Sequence, residues 1–466
     1  MKYRHLSSIA LLLITSFMAP GIASAQCKAP AAWFPHEKTP RPNDSDDFNT
    51  NCKFHLWSWQ MFLWLTQKTG PNGELRFETM PTPEEMFEVT ESGMPMALSA
   101  RKAPSVLRLA PRTMNKAMVQ GSPLNAIKQA GSFGLLVDQN GRIVYFSQYV
   151  NDIYFNFVRS NEFYIPENYK DAPDDQNYPI GTLELKAAWK VLGEGESGDG
   201  LYVRTAEINL LEEKDGELVV SAEVRQEDVA LVGLHVVGVV KNHPEFIWAT
   251  FEAARNAPDL GEGIAPGGDE PVSADDWLFY TKDTPAVECN QNSAGVATLV
   301  DAGKQLVAPV TQVYLRHPQG NGAPSNIAEI KDLNQSVKNQ LADDSVAKNY
   351  YLGGATWLKP NSLEPDLSLN GKQKLVVGST ELSNSVMETF TQQEGFRNNC
   401  FKCHNTKMVF APSGITGVDP IPPKNMNISH AMTDGYFRNA AKEREADIAG
   451  ARATMVQDFI KRIKSK

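Results

Sequence analysis

The sequence predicts an α+β protein: a mainly antiparallel, β-rich body with flanking helices over residues 26–380, followed by a small all-α domain over 381–466. Three observations predict it. Between about residues 131 and 240, alternating and β-rich runs follow one another, with turn dipeptides between them. On either side, in "FHLWSWQMFLWLTQ" and again from Ser325, apolar residues recur at helical spacing. The last segment sets two helical stretches around a short cysteine cluster and a Pro- and Gly-containing loop. With 42% apolar and 9% aromatic residues, the chain has the composition of a globular protein.

Taken in order, Lys2 and Arg4 precede an apolar run over residues 9–19, the break Pro20-Gly21 and the small-residue site Ala23-Ser24-Ala25. That order predicts a secretory signal peptide over residues 1–25, cut after Ala25, and a periplasmic or secreted mature protein. Gln26 before Cys27 argues against a lipid anchor. No later run approaches the roughly 18 to 20 residues of a membrane helix. The longest, "VALVGLHVVGVV", contains His235.

Residues 26–50, rich in Pro, Asn and Asp, predict an extended arm. Leu56, Trp59, Phe62 and Leu63 then mark one helical face, which Trp57 and Trp64 widen. "FGLLVDQNGRIVYF" is a hairpin signal with Asn140-Gly141 at its turn. "GTLELKAAWKVL", "GLYVRTAEINLL" and "GELVVSAEV" add strands, with Asp215-Gly216 as a second turn, so a sandwich or open barrel is expected. "HPEFIWATFEAARN" predicts a short helix entered through Pro244. Residues 256–300 are loop-rich. From Ser325, a candidate N-cap, Ile327, Ile330, Val337 and Leu341 fall near one helical face. At the end, a short helix over about 384–393 leads through Phe396 into "NNCFKCHNT". After a loop over 411–424, a long helix runs from about Asp434, with Ile448, Met455, Phe459 and Ile463 as its apolar stripe.

Charge is unevenly spread. From Phe396 onward 12 Lys and Arg stand against 6 Asp and Glu, although the whole chain carries −10. An acidic body with a basic tail disfavours nucleic-acid binding. A basic face suits docking to an acidic protein partner. The plainer reading is that the two halves attract each other, or that Lys461, Arg462, Lys464 and Lys466 complement a helix C-terminus.

Five cysteines in an exported chain are expected to be oxidised or occupied. Of Cys27, Cys52 and Cys289, the pair Cys52–Cys289 is favoured over Cys27–Cys52, because Cys27 lies in an arm expected to be loose. Cys400 and Cys403 stand three apart and His404 follows at once. This is the spacing at which two thioethers hold the vinyl groups of a haem and the adjacent imidazole reaches its iron. Five cysteines and eight histidines in 466 residues would produce it by chance about once in a thousand chains. A redox dithiol would be expected within a βαβ unit, and a zinc site would need further ligands close by; neither pattern is visible. Cys400 and Cys403 are therefore the candidate covalent anchors of one haem c, and His404 its proximal iron ligand.

For the opposite face of the iron, "PIPPKNMNISHAMTDGYF" offers His430, with Met426 and Met432 as alternatives. Met408 lies too near the motif to cross the ring, and Met455 fits a helix stripe better than a ligand. A second histidine would give a lower potential than a methionine.

On these residues, the segment from Met387 to Lys466 resembles a single-haem cytochrome c domain. The loop after the motif is short for that family, so no distal methionine transfers by spacing. More loosely, "SWQMFLWLT", "LELKAAWKVL", "LVGLHVVGVVKNHPEFIWATFE" and "NSVMETF" resemble segments of secreted bacterial cytochrome c family members, for which no reaction is implied. The resemblance implies a periplasmic or secreted c-type cytochrome acting in one-electron transfer. The alternative is a haem-dependent oxidoreductase, peroxidase- or oxygenase-like, with an open distal site and a small-molecule substrate held by the β-rich body. A third reading is an interaction protein whose haem stabilises a small tail domain.

Two further groups carry weaker signals. His235 and His243 could converge with Glu245 or Glu252 on a metal or substrate, although a hydrogen-bonded core role fits their spacing better. His55 beside Trp57, Trp59 and Trp64 could line a ligand pocket, but such aromatic clusters usually form core. No nucleotide loop, zinc-protease helix, nucleophile elbow or calcium loop is present.

Overall fold

In a computed structural model, residues 27–89, 106–111, 134–292, 296–367, 369, 373–392, 399–412 and 415–464 are described. The expected signal peptide, including Ala25, and Phe396 lie outside them. The architecture is a mixed α/β one, built on a large, mostly antiparallel sheet. Its strands are β1 (Leu107–Pro111), β2 (Val144–Val150), β3 (Leu183–Val191), β4 (Val203–Lys214), β5 (Glu217–Val240), β6 (His243–Ala253), β9 (Tyr350–Leu358) and β10 (Val376–Gly378), in the order β10-β9-β6-β5-β3-β2-β1-β4. β7 (Thr298–Asp301) and β8 (Leu306–Ala308) form a separate pair. β4 also pairs with β5, so β5, β3, β2, β1 and β4 close on themselves as a five-stranded ring. The β1–β4 pairing in that ring is parallel.

β5 explains both the barrel-like ring and the extended sheet. Its first half pairs with β4 through the turn at Asp215 and Gly216, whose φ angles of 54° and 80° supply the left-handed pair a tight hairpin needs. Its second half, "VALVGLHVVGVV", lies between β3 and β6 and is covered on both faces, which is why it reads as a continuous apolar run.

Six α-helices stand among the described residues: α1 (Asn51–Leu65), α2 (Pro83–Phe87), α3 (Asp152–Ser160), α4 (Pro166–Lys170), α5 (Pro324–Gln340) and α6 (His430–Lys464). α1 packs against one face of the sheet with α5 beside it. Trp57, Trp59 and Phe62 join Leu185, Leu234, Val236, Ala249 and Phe251 in one buried cluster. Phe62 stacks on Phe251 at 4.3 Å, and Trp59 donates its Nε1–H to Asn334 of α5 at 2.7 Å. The opposite face carries a second cluster in which Val237 and Trp248 of the sheet meet Phe401, Met426 and Met432. This apolar cluster runs across residue 380, joining residues 150–178 to 401–437.

Several expectations are corrected. The stretch from His243 is strand β6, not a helix: with partners on both sides and both faces covered, Ile247, Ala249 and Phe251 face α1 while Trp248, Thr250 and Glu252 face away. Pro244 sits near the strand's start, where a missing N–H costs least. An all-α C-terminal domain is not shown: among the described residues of that segment one α-helix, α6, follows short 3-10 turns at Thr389–Thr391, Cys400–Lys402 and Asn425–Ile428. α6 begins at His430, earlier than expected, and Ile448 and Met455 are exposed rather than core, at 41% and 72%. The side chains of Phe459 and Ile463 lie outside the described ones. α5 is capped at Ala323 with Pro324 in its first turn, so Ser325 is inside the helix.

The disulfide is Cys27–Cys52, not Cys52–Cys289. The arm is not loose: Cys27 is buried, Ala29 N–H donates to Ser336 Oγ at 3.1 Å, and Gln340 donates to the Ala29 carbonyl at 2.9 Å. Cys289 is a buried thiol in a separate cluster with Tyr280 and Tyr314.

Candidate haem-attachment site

The motif lies against the face of the sheet opposite α1. Along β3, β5 and β6 that face presents Glu184 and Lys186, then His235 and Val237, then Trp248, Thr250 and Glu252; Lys186 is paired with His235, and His235 with Thr250. Phe401, between the two cysteines, is buried beside Trp248, their rings 6.1 Å apart and nearly perpendicular. It anchors the 3-10 turn Cys400–Lys402, leaving Cys400 half-buried and Cys403 exposed.

His404 is held from three sides. Trp248 packs on its ring at 4.2 Å, His430 stacks on it at 4.0 Å with planes 24° apart, and its Nδ1 lies 3.0 Å from the Ile428 carbonyl. A carbonyl only accepts, so the proton sits on Nδ1 and the lone pair on Nε2. That is the tautomer of a metal-binding imidazole, whose other nitrogen is habitually tied to a carbonyl or carboxylate. Burial, followed by the His430 ring, lowers the His404 pKa well below the ordinary imidazole value, which keeps it a neutral donor.

The thiols sit in a different field from that of reactive thiolates. Burial first, then the Glu388 carboxylate, pushes the Cys400 thiol well up. A dithiol poised for exchange has its pKa lowered. His235 Nε2 lies 3.1 Å from Glu388 Oε1. Burial raises the Glu388 carboxyl, but His235 and Lys186 outweigh it and hold the group below the usual carboxylate range.

Of the candidate distal ligands, His430 stacks on the His404 ring. Two imidazoles sharing one metal from opposite sides direct nitrogens at it, each about 2 Å away, whereas His404 and His430 meet face to face. His430 Nε2 lies 3.3 Å from the Cys403 carbonyl, beside the motif. Met426 and Met432 are fully buried in the cluster beneath it.

Comparison with protein-family models, with curated proteins and with solved structures finds no match. What the site can hold is set by its own residues. They fit a covalently held haem in three respects: two thiols at the required spacing, an imidazole with its Nε2 lone pair left for iron, and two large apolar side chains, Met408 and Phe410, exposed within six residues of His404.

Of the remaining candidates, His55, His243 and Glu252 are core, and His235 is half-buried. His235 and His243 do not converge: His235 faces Glu388, while His243 pairs with Val240 at the far end of β5 and bonds Glu245 at 2.7 Å. Glu252 bonds Ser385 and Asn256 instead. His55 is buried, bonds Asn326 at 2.9 Å and has its pKa lowered to about 4 by burial.

Lys186, Glu388, Trp248 and Ile428 were missed by sequence reasoning. Alternation in "LELKAAWKVL" puts Glu184 and Lys186 on one face, and that signal was available. Reading residues 243–253 as a helix removed Trp248 from the same face. Ile428 acts through its carbonyl, which no side-chain pattern announces.

Proposed function

We propose that the protein carries one haem c, which Cys400 and Cys403 would hold through thioethers and His404 through its iron, and that it transfers single electrons outside the cytoplasm. The carrying observation is His404: clamped by Trp248 and His430, fixed at Nδ1 by the Ile428 carbonyl, with its Nε2 lone pair uncommitted next to two unpaired cysteines. When bound, the haem would supply a ferric/ferrous couple. The chain's residues would hold it: Phe401 seats the motif in the core, and Cys403 is exposed, where a partner protein can approach. Lys402, exposed beside Cys403, belongs to the basic surface expected to favour an acidic partner. The likeness to a cytochrome c rests on residues 400–404, because the surrounding segment shares its core with the sheet.

A second reading, a haem oxidoreductase with an open iron face, is favoured by one observation: His430 is stacked on the His404 ring, and Met426 and Met432 are buried in the apolar cluster. Carbon monoxide and imidazole separate the two. Protein exported from a strain with haem c maturation should show low-spin bands and ignore carbon monoxide if it is a carrier. Rapid carbon monoxide binding to a high-spin haem would overturn the carrier reading in favour of chemistry at the metal.

A further inference from the structure

The carbonyl that orients His404 belongs to a turn pinned with unusual completeness. Lys424 Nζ reaches Asp174 at 2.8 Å and the Ala172 carbonyl. Asn425 N–H donates to the Asp174 carbonyl at 2.8 Å and its side chain to Asn177 at 2.9 Å. The Met426 carbonyl accepts from the Tyr178 hydroxyl at 2.7 Å, and Asn427 Oδ1 from the Tyr169 hydroxyl at 2.7 Å. Ser429 Oγ lies 2.7 Å from the Tyr154 hydroxyl and donates to Glu184 Oε2 at 2.6 Å. From Lys424 to Ser429 every residue but Ile428 is tied to residues 154–184, and Ile428 gives its carbonyl to His404.

We propose that Tyr154, Tyr178, Ser429 and Glu184 are positioning residues for the iron-binding histidine, so that the sheet-packed body sets the properties of the haem. The proposal rests on the haem reading above. Tyr154, Tyr169, Tyr178, Glu184, Lys424 and Ser429 are all buried. Such networks contribute little net stability compared with apolar packing of the same volume, and what they supply is a unique geometry. Here the fixed object is one carbonyl 3.0 Å from His404 Nδ1. A well-placed acceptor at Nδ1 makes the imidazole a stronger donor to iron through Nε2. A stronger donor favours ferric over ferrous iron.

The test uses the full haem-loaded chain. Tyr154→Phe and Tyr178→Phe each remove one oxygen and keep the ring, Ser429→Ala removes the hub hydroxyl, and Ser429→Thr restores a hydroxyl. Haem content, midpoint potential and the electron paramagnetic resonance spectrum of the ferric form are measured for each. The three deletions should load haem yet favour the ferrous state by about tenfold, an upward shift of about 59 mV for a one-electron couple, with altered g values. Ser429→Thr should stay near the parent. Should Ser429→Ala not fold, the two Tyr→Phe variants carry the test. Haem-loaded variants whose potential and spectrum do not move, whatever happens to their melting temperature, would overturn the positioning role alone. A parent chain that holds no covalent haem would overturn the haem reading and this one with it.

Discussion

Glu252 shows how burial fixes the state of a single residue here. Its carboxyl is fully enclosed, bonded to Ser385 and Asn256, and burial raises its pKa to about 8, so it is largely protonated at neutral pH. A folded-state pKa raised above the unfolded value stabilises the fold below the unfolded pKa, and that contribution is lost as pH rises through the folded one. Between about pH 4.5 and 8 the parent should lose a few kcal/mol on this account, while the urea midpoint of Glu252→Gln should fall less across the same window, in which the raised Glu78 and Glu184 carboxyls still titrate. A parallel pH dependence in parent and variant would refute the assignment. At the site, His430 stacks on His404 rather than facing it. His430→Ala should therefore keep the covalent haem while loosening the His404 ring, read as altered g values in the ferric electron paramagnetic resonance spectrum, and conversion to a high-spin spectrum would instead make His430 an iron ligand.

At the level of elements, the fit of α1 against the sheet depends on one absent side chain. A Cβ at Gly238 would lie 2.5 Å from Trp57 and 2.8 Å from Leu183. Gly238→Ala should cost about 1 to 3 kcal/mol through overpacking, read as a lower melting temperature. Replacing Cys27 and Cys52 with Ser should cost about 3 kcal/mol, since their link closes a loop of 25-residue separation between the arm and α1. A loss well below 1 kcal/mol in chemical denaturation would mean that the arm is held by its hydrogen bonds to α5 alone. α1 and the β4–β5 hairpin were legible because spacing and Asp215-Gly216 encode them locally. β6 was not, because a strand covered on both faces loses its alternation and its proline mimics a helix start. In the same way Cys400, Cys403 and His404 were legible as a local spacing. Trp248, Lys186 and Glu388 reach the site only through the register of distant strands and the loop laid over them.

For the molecule as a whole, the sheet divides the labour. One face buries α1 and α5 in the larger apolar cluster, and the other carries the motif, its histidine clamp and the pinned turn before α6. The size of the chain then has a physical reason: residues 150–184, Trp248 and the motif form one unit, and the last eighty or so residues taken alone lack Trp248 and the tyrosines that pin the turn carrying Ile428. A fragment beginning near residue 381 should accordingly load haem poorly and unfold at a lower temperature than the full chain; a fragment matching the full chain in both would show that the motif segment needs no sheet. No helix among the described residues is long and apolar enough to cross a membrane. The most direct test of the central claim is a reduced-minus-oxidised visible spectrum of the full protein, exported by a strain with haem c maturation and then extracted with acid and acetone. The haem should stay with the protein after extraction and show the bands of a c-type group, and the double variant Cys400→Ser, Cys403→Ser should lose it. Parent protein left colourless by the extraction would contradict the account.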